Sequence, residues 1–120
     1  MPLAHTPCAD NKLGVRYVAL CPTMRVPESV RWHKEVVYNC VWSLLVEVDN
    51  HNAAIAEGKG EGMARIETVA MTGLATGVGA VPPEVCASQM ARAFAHYHEA
   101  KTRPEKWGAL GWRDILDMPV

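Results

Sequence analysis

Two apolar stripes at helical spacing and two short apolar runs organise this chain. Val37, Val41, Leu44, Leu45 and Val48 fall at i, i+4, i+7, i+8 and i+11, one face of a 3.6-residue period. Cys86, Met90, Ala93, Phe94 and Tyr97 repeat the same spacing. The first stripe predicts a helix from a Ser29 N-cap to about His51, and the second a helix from Pro83 to about Ala100. Pro83 suits a first helical turn, where its missing N–H costs nothing, and Glu84 complements the dipole there. The runs Arg16 to Cys21 and Ile66 to Met71 are short, apolar and bounded by turn residues, the pattern of buried strands.

The predicted order is strand, helix, strand, helix, with a lead-in over residues 1–14, a core over 15–100 and a tryptophan-bearing tail over 101–120. Asp49 to Gly62 is polar and glycine-rich, an exposed connection. The tail is expected to dock through Trp107 and Trp112, with a short helix at Arg113 to Met118. Alternation of this kind predicts a single α/β domain, a three-layer arrangement of a mainly parallel sheet with flanking helices. Ligands of such sheets bind beyond the carboxyl ends of the strands. The loops PTMRVP, after the first strand, and TGLATGVGAVPP, after the second, are placed to form opposite walls of one cleft.

Composition narrows the classes. At 120 residues the chain holds one domain. It is 49% hydrophobic and 21% charged, with a formal net charge of -1, so no broad attraction to nucleic acid or membrane surface is expected. No apolar run spans a bilayer, and MPLAHTPCADNK lacks a signal pattern, which predicts an intracellular protein, cytoplasmic or nuclear. Cys8, Cys21, Cys40 and Cys86 form no C-x-x-C pair, and the histidines are scattered, so neither a disulfide framework nor a metal site is predicted.

The richest segment is Ile66 to Val85. Strand, glycine loop and helix start in succession are the parts of an anion site, because loop amides and the first helical N–H groups have no internal partner. Gly73, Gly77 and Gly79 can take positive φ and admit a ligand close to the backbone. Ala75 and Ala80 are nearly as small, and Thr76 is the only hydroxyl between Gly73 and Pro82. No lysine follows, so this is no Walker loop, and Pro82 stands where a dinucleotide fingerprint needs its third glycine. The alternative is a plain strand-to-helix turn. Arg25 in PTMRVP is the best side chain for a phosphate, since guanidinium binds two oxygens at once; its alternative is a surface ion pair. Trp32 and Trp42 are expected in the core rather than as adenine platforms, and so are Phe94 and Tyr97.

ALCPTMRVP and VAMTGLATGVGAVPPEVCASQMARAF together carry a family resemblance. The segment from about Tyr17 to Tyr97 resembles the C-terminal half of a macro domain, the ADP-ribose-binding module. The family's second phosphate loop usually shows small-Thr-Gly-x-x-Gly-x-Pro, and Ala75, Thr76, Gly77, Val78, Gly79, Ala80, Val81 and Pro82 stand at those positions. Ala75 replaces a common serine and Ala80 a common glycine. The resemblance implies that Gly73 and Ala75 to Ala80 line the diphosphate and distal ribose of ADP-ribose through backbone N–H groups. Thr76 would add a hydroxyl donor and Val78 an apolar contact under the sugar. No other cofactor is implied. The partners implied are ADP-ribose itself or an ADP-ribosylated protein. The family's N-terminal half, with its adenine aspartate, ribose asparagine and first glycine loop, has no counterpart here, so the resemblance implies a truncated domain. A sheet lacking its early strands exposes an edge, which predicts marginal stability alone or self-association.

Three functions follow in order: a module binding ADP-ribose or a related nucleotide diphosphate, a scaffolding fragment without ligand, and a hydrolase of ADP-ribosyl or ADP-ribose-phosphate bonds. For the last, His33, Glu28 and Glu84 are the available acid or base groups, in no recognisable arrangement; no catalytic residue is assigned.

Overall fold

The computed structural model describes all 120 residues and contains four helices: α1 (Val36–Ala56), α2 (Pro83–Thr102), α3 (Pro104–Gly108) and α4 (Trp112–Asp117). α1 packs along α2, and α3 folds back on the end of α2. The buried cluster lies between them. Val37 and Val41 from the first stripe, with Val36, meet Cys86 and Ala93 from the second, and Val30 and Val81 close one end. The predicted helical faces therefore meet in part: Val37, Val41 and Leu45 face Cys86, Met90 and Ala93, while Leu44 and Val48 line a groove on another side of α1. Phe94, from the second stripe, stays 42% exposed.

No sheet forms, and this corrects the predicted α/β architecture. The sole β pairing is an isolated antiparallel bridge between Pro2 and Tyr17. The lead-in thus joins the body: Leu3 donates to the Arg16 carbonyl at 2.9 Å and is itself buried. Arg16 to Cys21 pairs along its backbone only with Met1 to Leu3. The other run has no strand beside it at all. Side chains take a strand's place instead. The Asn52 amide on α1 accepts from Ile66 N–H and donates to Ile66 C=O, both at 2.9 Å. The Tyr17 hydroxyl accepts from Ala64 N–H at 2.8 Å, and His51 Nε2 sits 2.8 Å from the Ala64 carbonyl. β-branched runs report fitness for a pleated surface; they do not supply the neighbouring strand.

Boundaries shift for similar reasons. α1 begins at Val36 rather than after Ser29, and Glu35 at its N-cap makes no side-chain cap bond. The cap comes from α2: buried Gln89 accepts from Tyr38 N–H through Oε1 at 3.1 Å and donates from Nε2 to the Lys34 carbonyl at 2.7 Å. In the tail, Trp107 docks on Trp42 and His96, with ring centroids 5.7 and 5.6 Å away. Trp112 does not dock and is 81% exposed. Trp32, expected in the core, is 72% exposed.

Only 10 of 120 residues are buried, and the Cα radius of gyration is 16.6 Å. A close-packed domain of this length has a radius of about 14 Å. The excess follows from the extended segments that lie outside the two-helix core. No helix is long and apolar enough to cross a membrane.

Candidate functional site

The glycine loop sits at the start of α2 and is held from several sides. Thr76 N–H and Thr76 Oγ1 both donate to the Gly73 carbonyl, at 3.4 and 2.7 Å. Ala80 N–H donates to Gly77 C=O at 2.9 Å, and Val81 N–H to Ala75 C=O at 3.0 Å. The Gly79 carbonyl accepts from Val30 N–H at 2.9 Å, which ties the loop to the segment after PTMRVP. Leu74 and Ala75 pack on the core cluster, and so does Met24 from PTMRVP. The two loops named from the sequence therefore converge on one end of the core.

Hydrogen bonding sorts the loop amides into two sets. Those of Thr76, Ala80 and Val81 are used internally. Those of Ala75, Gly77, Val78 and Gly79 have no acceptor within the chain, and neither do Glu84 and Val85 in the first turn of α2. Gly77 to Gly79 is a consecutive run of three free N–H groups, and none of the three takes a left-handed φ. The Thr76 hydroxyl proton is committed to Gly73, so the donor role implied for it is not open in this conformation. Val78 is 64% exposed, free to lie against a ligand. Arg25 is exposed and makes no hydrogen bond or ion pair.

The glycines do different work from that predicted. Positive φ falls on Ala75 (60°) and Ala80 (58°), not on Gly73, Gly77 or Gly79. L-residues bear a steric cost in that region. Gly79 is required by packing: a Cβ there would lie 2.6 Å from the Ala75 carbonyl oxygen and 3.1 Å from Val30 Cγ2. At Gly73 an added Cβ would press on Thr76 Oγ1 at 2.9 Å. At Gly77 it would meet nothing within 4 Å.

A groove of about 650 Å³ lies elsewhere, between Tyr17–Thr23 and the α1 face that carries Val36, Cys40, Leu44 and Val48. It takes Pro22 and Thr23 from the first loop but no residue of the glycine loop, so it is not the predicted two-loop cleft. Burial, with Cys21 nearby, raises the Cys40 thiol above its ordinary value, so it is held as a neutral thiol. His33 lines this groove and accepts from Glu35 N–H through Nδ1 at 3.2 Å. No hydrogen bond or ion pair joins His33, Glu28 and Glu84. No group of three or more His, Cys, Asp or Glu side chains converges as a metal site would require.

The strongest electrostatic coupling is structural. The Tyr97 hydroxyl donates to the Asp49 carboxylate in a short bond, and Lys101 Nζ lies 3.1 Å from the same carboxylate. Burial, reinforced by Asp49, pushes Tyr97 up to about 12. The Tyr97 hydroxyl and then Lys101 hold Asp49 below the usual carboxylate range. Trp42 packs edge-on against Tyr97 at 5.1 Å, and Tyr38 shares a 2.9 Å hydrogen bond with His96. This polar and aromatic seam joins α1 to α2. Sequence periodicity named Tyr97 but not Asp49, His96 or Gln89, because a polar residue on a helix carries no periodic signal of its partner on another helix.

A scan against protein-family models finds no match, and neither do searches of curated proteins and of solved structures.

Proposed function

We propose that the chain is a binding module for the diphosphate of ADP-ribose or a related nucleotide, held at Gly73 to Pro82. The observation that carries this reading is the run of unpartnered N–H groups at Gly77, Val78 and Gly79, set in a loop whose Thr76, Ala80 and Val81 amides fix its shape. Oriented amides need little reorganisation when an anion arrives. The free N–H groups of Glu84 and Val85 add positive potential from the α2 terminus. Arg25, unpaired on the neighbouring loop, supplies a cation for a phosphate oxygen, and exposed Val78 supplies an apolar contact for a sugar.

Gly77→Glu is the decisive variant. Its side chain enters open space, so the fold is spared while a carboxylate is placed among the free amides. Calorimetric titration with ADP-ribose should give saturable heat for the native chain and an affinity at least tenfold weaker for Gly77→Glu, on the order expected for a like-charge contact. A folded native protein with no saturable heat, or a variant that binds equally well, overturns the proposal.

A further inference from the structure

We propose that the segment Ala64–Thr68 is a dimerisation edge that pairs antiparallel with the same segment of a second copy, the two-fold axis passing at Ile66. This rests on a different surface from the ligand proposal. From Met63 to Gly73 the backbone contains no turn or bend. The peptide groups of Ala64 and Ile66 point inward, where Tyr17, His51 and Asn52 satisfy them. Along extended backbone, successive residues turn their N–H and C=O groups to opposite edges. Those of Arg65 and Glu67 therefore face outward, and neither has a partner. Both side chains are exposed, and Met63 and Val69 are each 45% exposed on the same face.

The side chains commit this edge to a second copy in one register. About Ile66, Arg65 of each strand stands opposite Glu67 of the other, and Met63 opposite Val69. The Arg65–Glu67 positions are then the hydrogen-bonded pairs, as their outward peptide groups require. Centring on Arg65 or on Glu67 instead sets like charges face to face. Sliding the axis to Thr68 sets Glu67 against Val69, and sliding it to Ala64 sets Glu67 against Glu61. Charges on an exposed edge ordinarily discourage pairing. Here their opposite signs two residues apart make the edge self-complementary, and opposite-charge cross-strand pairs stabilise a sheet where like pairs destabilise it.

Sedimentation equilibrium on the full chain tests this, with circular dichroism to verify folding. The native chain should dimerise reversibly. Glu67→Arg replaces two attractive pairs with two repulsive ones and should weaken the dimer about tenfold or more. Arg65→Glu should do the same, and the double variant Arg65→Glu/Glu67→Arg should return to within about threefold of native. Where Glu67→Arg does not fold, Glu67→Gln replaces it, with a loss of about threefold. A monomeric native chain, single reversals without effect, or a folded double variant that stays monomeric each overturns the proposal.

Discussion

Gln89 is the residue on which α1 depends at its N-terminus, and its replacement gives a direct test of the helix–helix seam. The side chain is 4% exposed and makes two bonds across the interface, from Tyr38 N–H and to the Lys34 carbonyl. Tyr38 is in the first turn of α1, where N–H groups lack intrahelical partners, and no local side chain caps them. Each such bond contributes about 1 kcal/mol net, and a partner left dry and unpaired costs about 1–3 kcal/mol. Gln89→Met keeps the volume and removes both bonds, so a loss of about 2–4 kcal/mol is expected. Gln89→Glu keeps the acceptor for Tyr38 but turns an oxygen toward the Lys34 carbonyl. Its carboxyl is then favoured in the protonated form, which can donate there. With its folded-state value raised, that stabilisation is present in acid and disappears as pH rises through it. Gln89→Glu should therefore lie closer to native at pH 4 than at pH 7. Urea unfolding followed by circular dichroism measures both differences. A Gln89→Met midpoint equivalent to within about 0.5 kcal/mol of native would refute the capping role, since that is the size of an ordinary surface change.

Other outcomes follow from the loop and the seam. Ala80→Gly relieves about 1–2 kcal/mol of left-handed strain and gives back about 0.4–1 kcal/mol in unfolded-chain entropy, so a net gain of ~0.5–1 kcal/mol is expected in the same urea assay. Gly79→Ala should cost about 1–3 kcal/mol through overpacking against Ala75 and Val30, while Gly77→Ala stays within about 0.5 kcal/mol; equal effects at the two positions would contradict the packing argument. Tyr97, held up to about 12, should ionise well above the ordinary tyrosine range when absorbance is followed near 295 nm, and Asp49→Asn should lower its midpoint. The sign is that of a raised folded-state value: this contribution to stability is whole below pH 10 and is lost as pH climbs toward 12. Asp49 behaves inversely, its contribution present above the unfolded carboxylate range and lost as pH falls through its lowered folded value.

Legibility followed the range of the interaction. The stripe through Val37 and Val41 and the stripe through Cys86 and Ala93 reached the buried cluster as their spacing predicted. Pro83 at the start of α2 was equally plain, because a proline at a first turn is a local matter. The short helix predicted at Arg113 to Met118 is α4, one residue earlier at each end. The failures at the strands and at the helix cap needed knowledge of a distant neighbour. Arg16 to Cys21 and Ile66 to Met71 have strand-like residues, yet the first meets only an isolated bridge to Pro2, and the second is met at Ile66 by the Asn52 amide and just before it, at Ala64, by Tyr17 and His51. Ser29 looked like a cap, but the cap is Gln89, contributed from the other helix. In the glycine loop, residue type pointed to positive φ at the glycines, whereas the fold places it at Ala75 and Ala80.

The amino-acid order alone determined where the two long helices run and which face of each is apolar, since both depend on contacts within a few residues. Tertiary structure alone decided that the apolar runs stay unladdered, that Gly79 is a packing glycine, and which loop amides remain open. The first two outcomes depend on groups far apart in the chain, with Asn52 set beside Ile66, Tyr17 and His51 beside Ala64, and Val30 beside Gly79; the third depends on the conformation in which the loop closes on its own Gly73, Ala75 and Gly77 carbonyls.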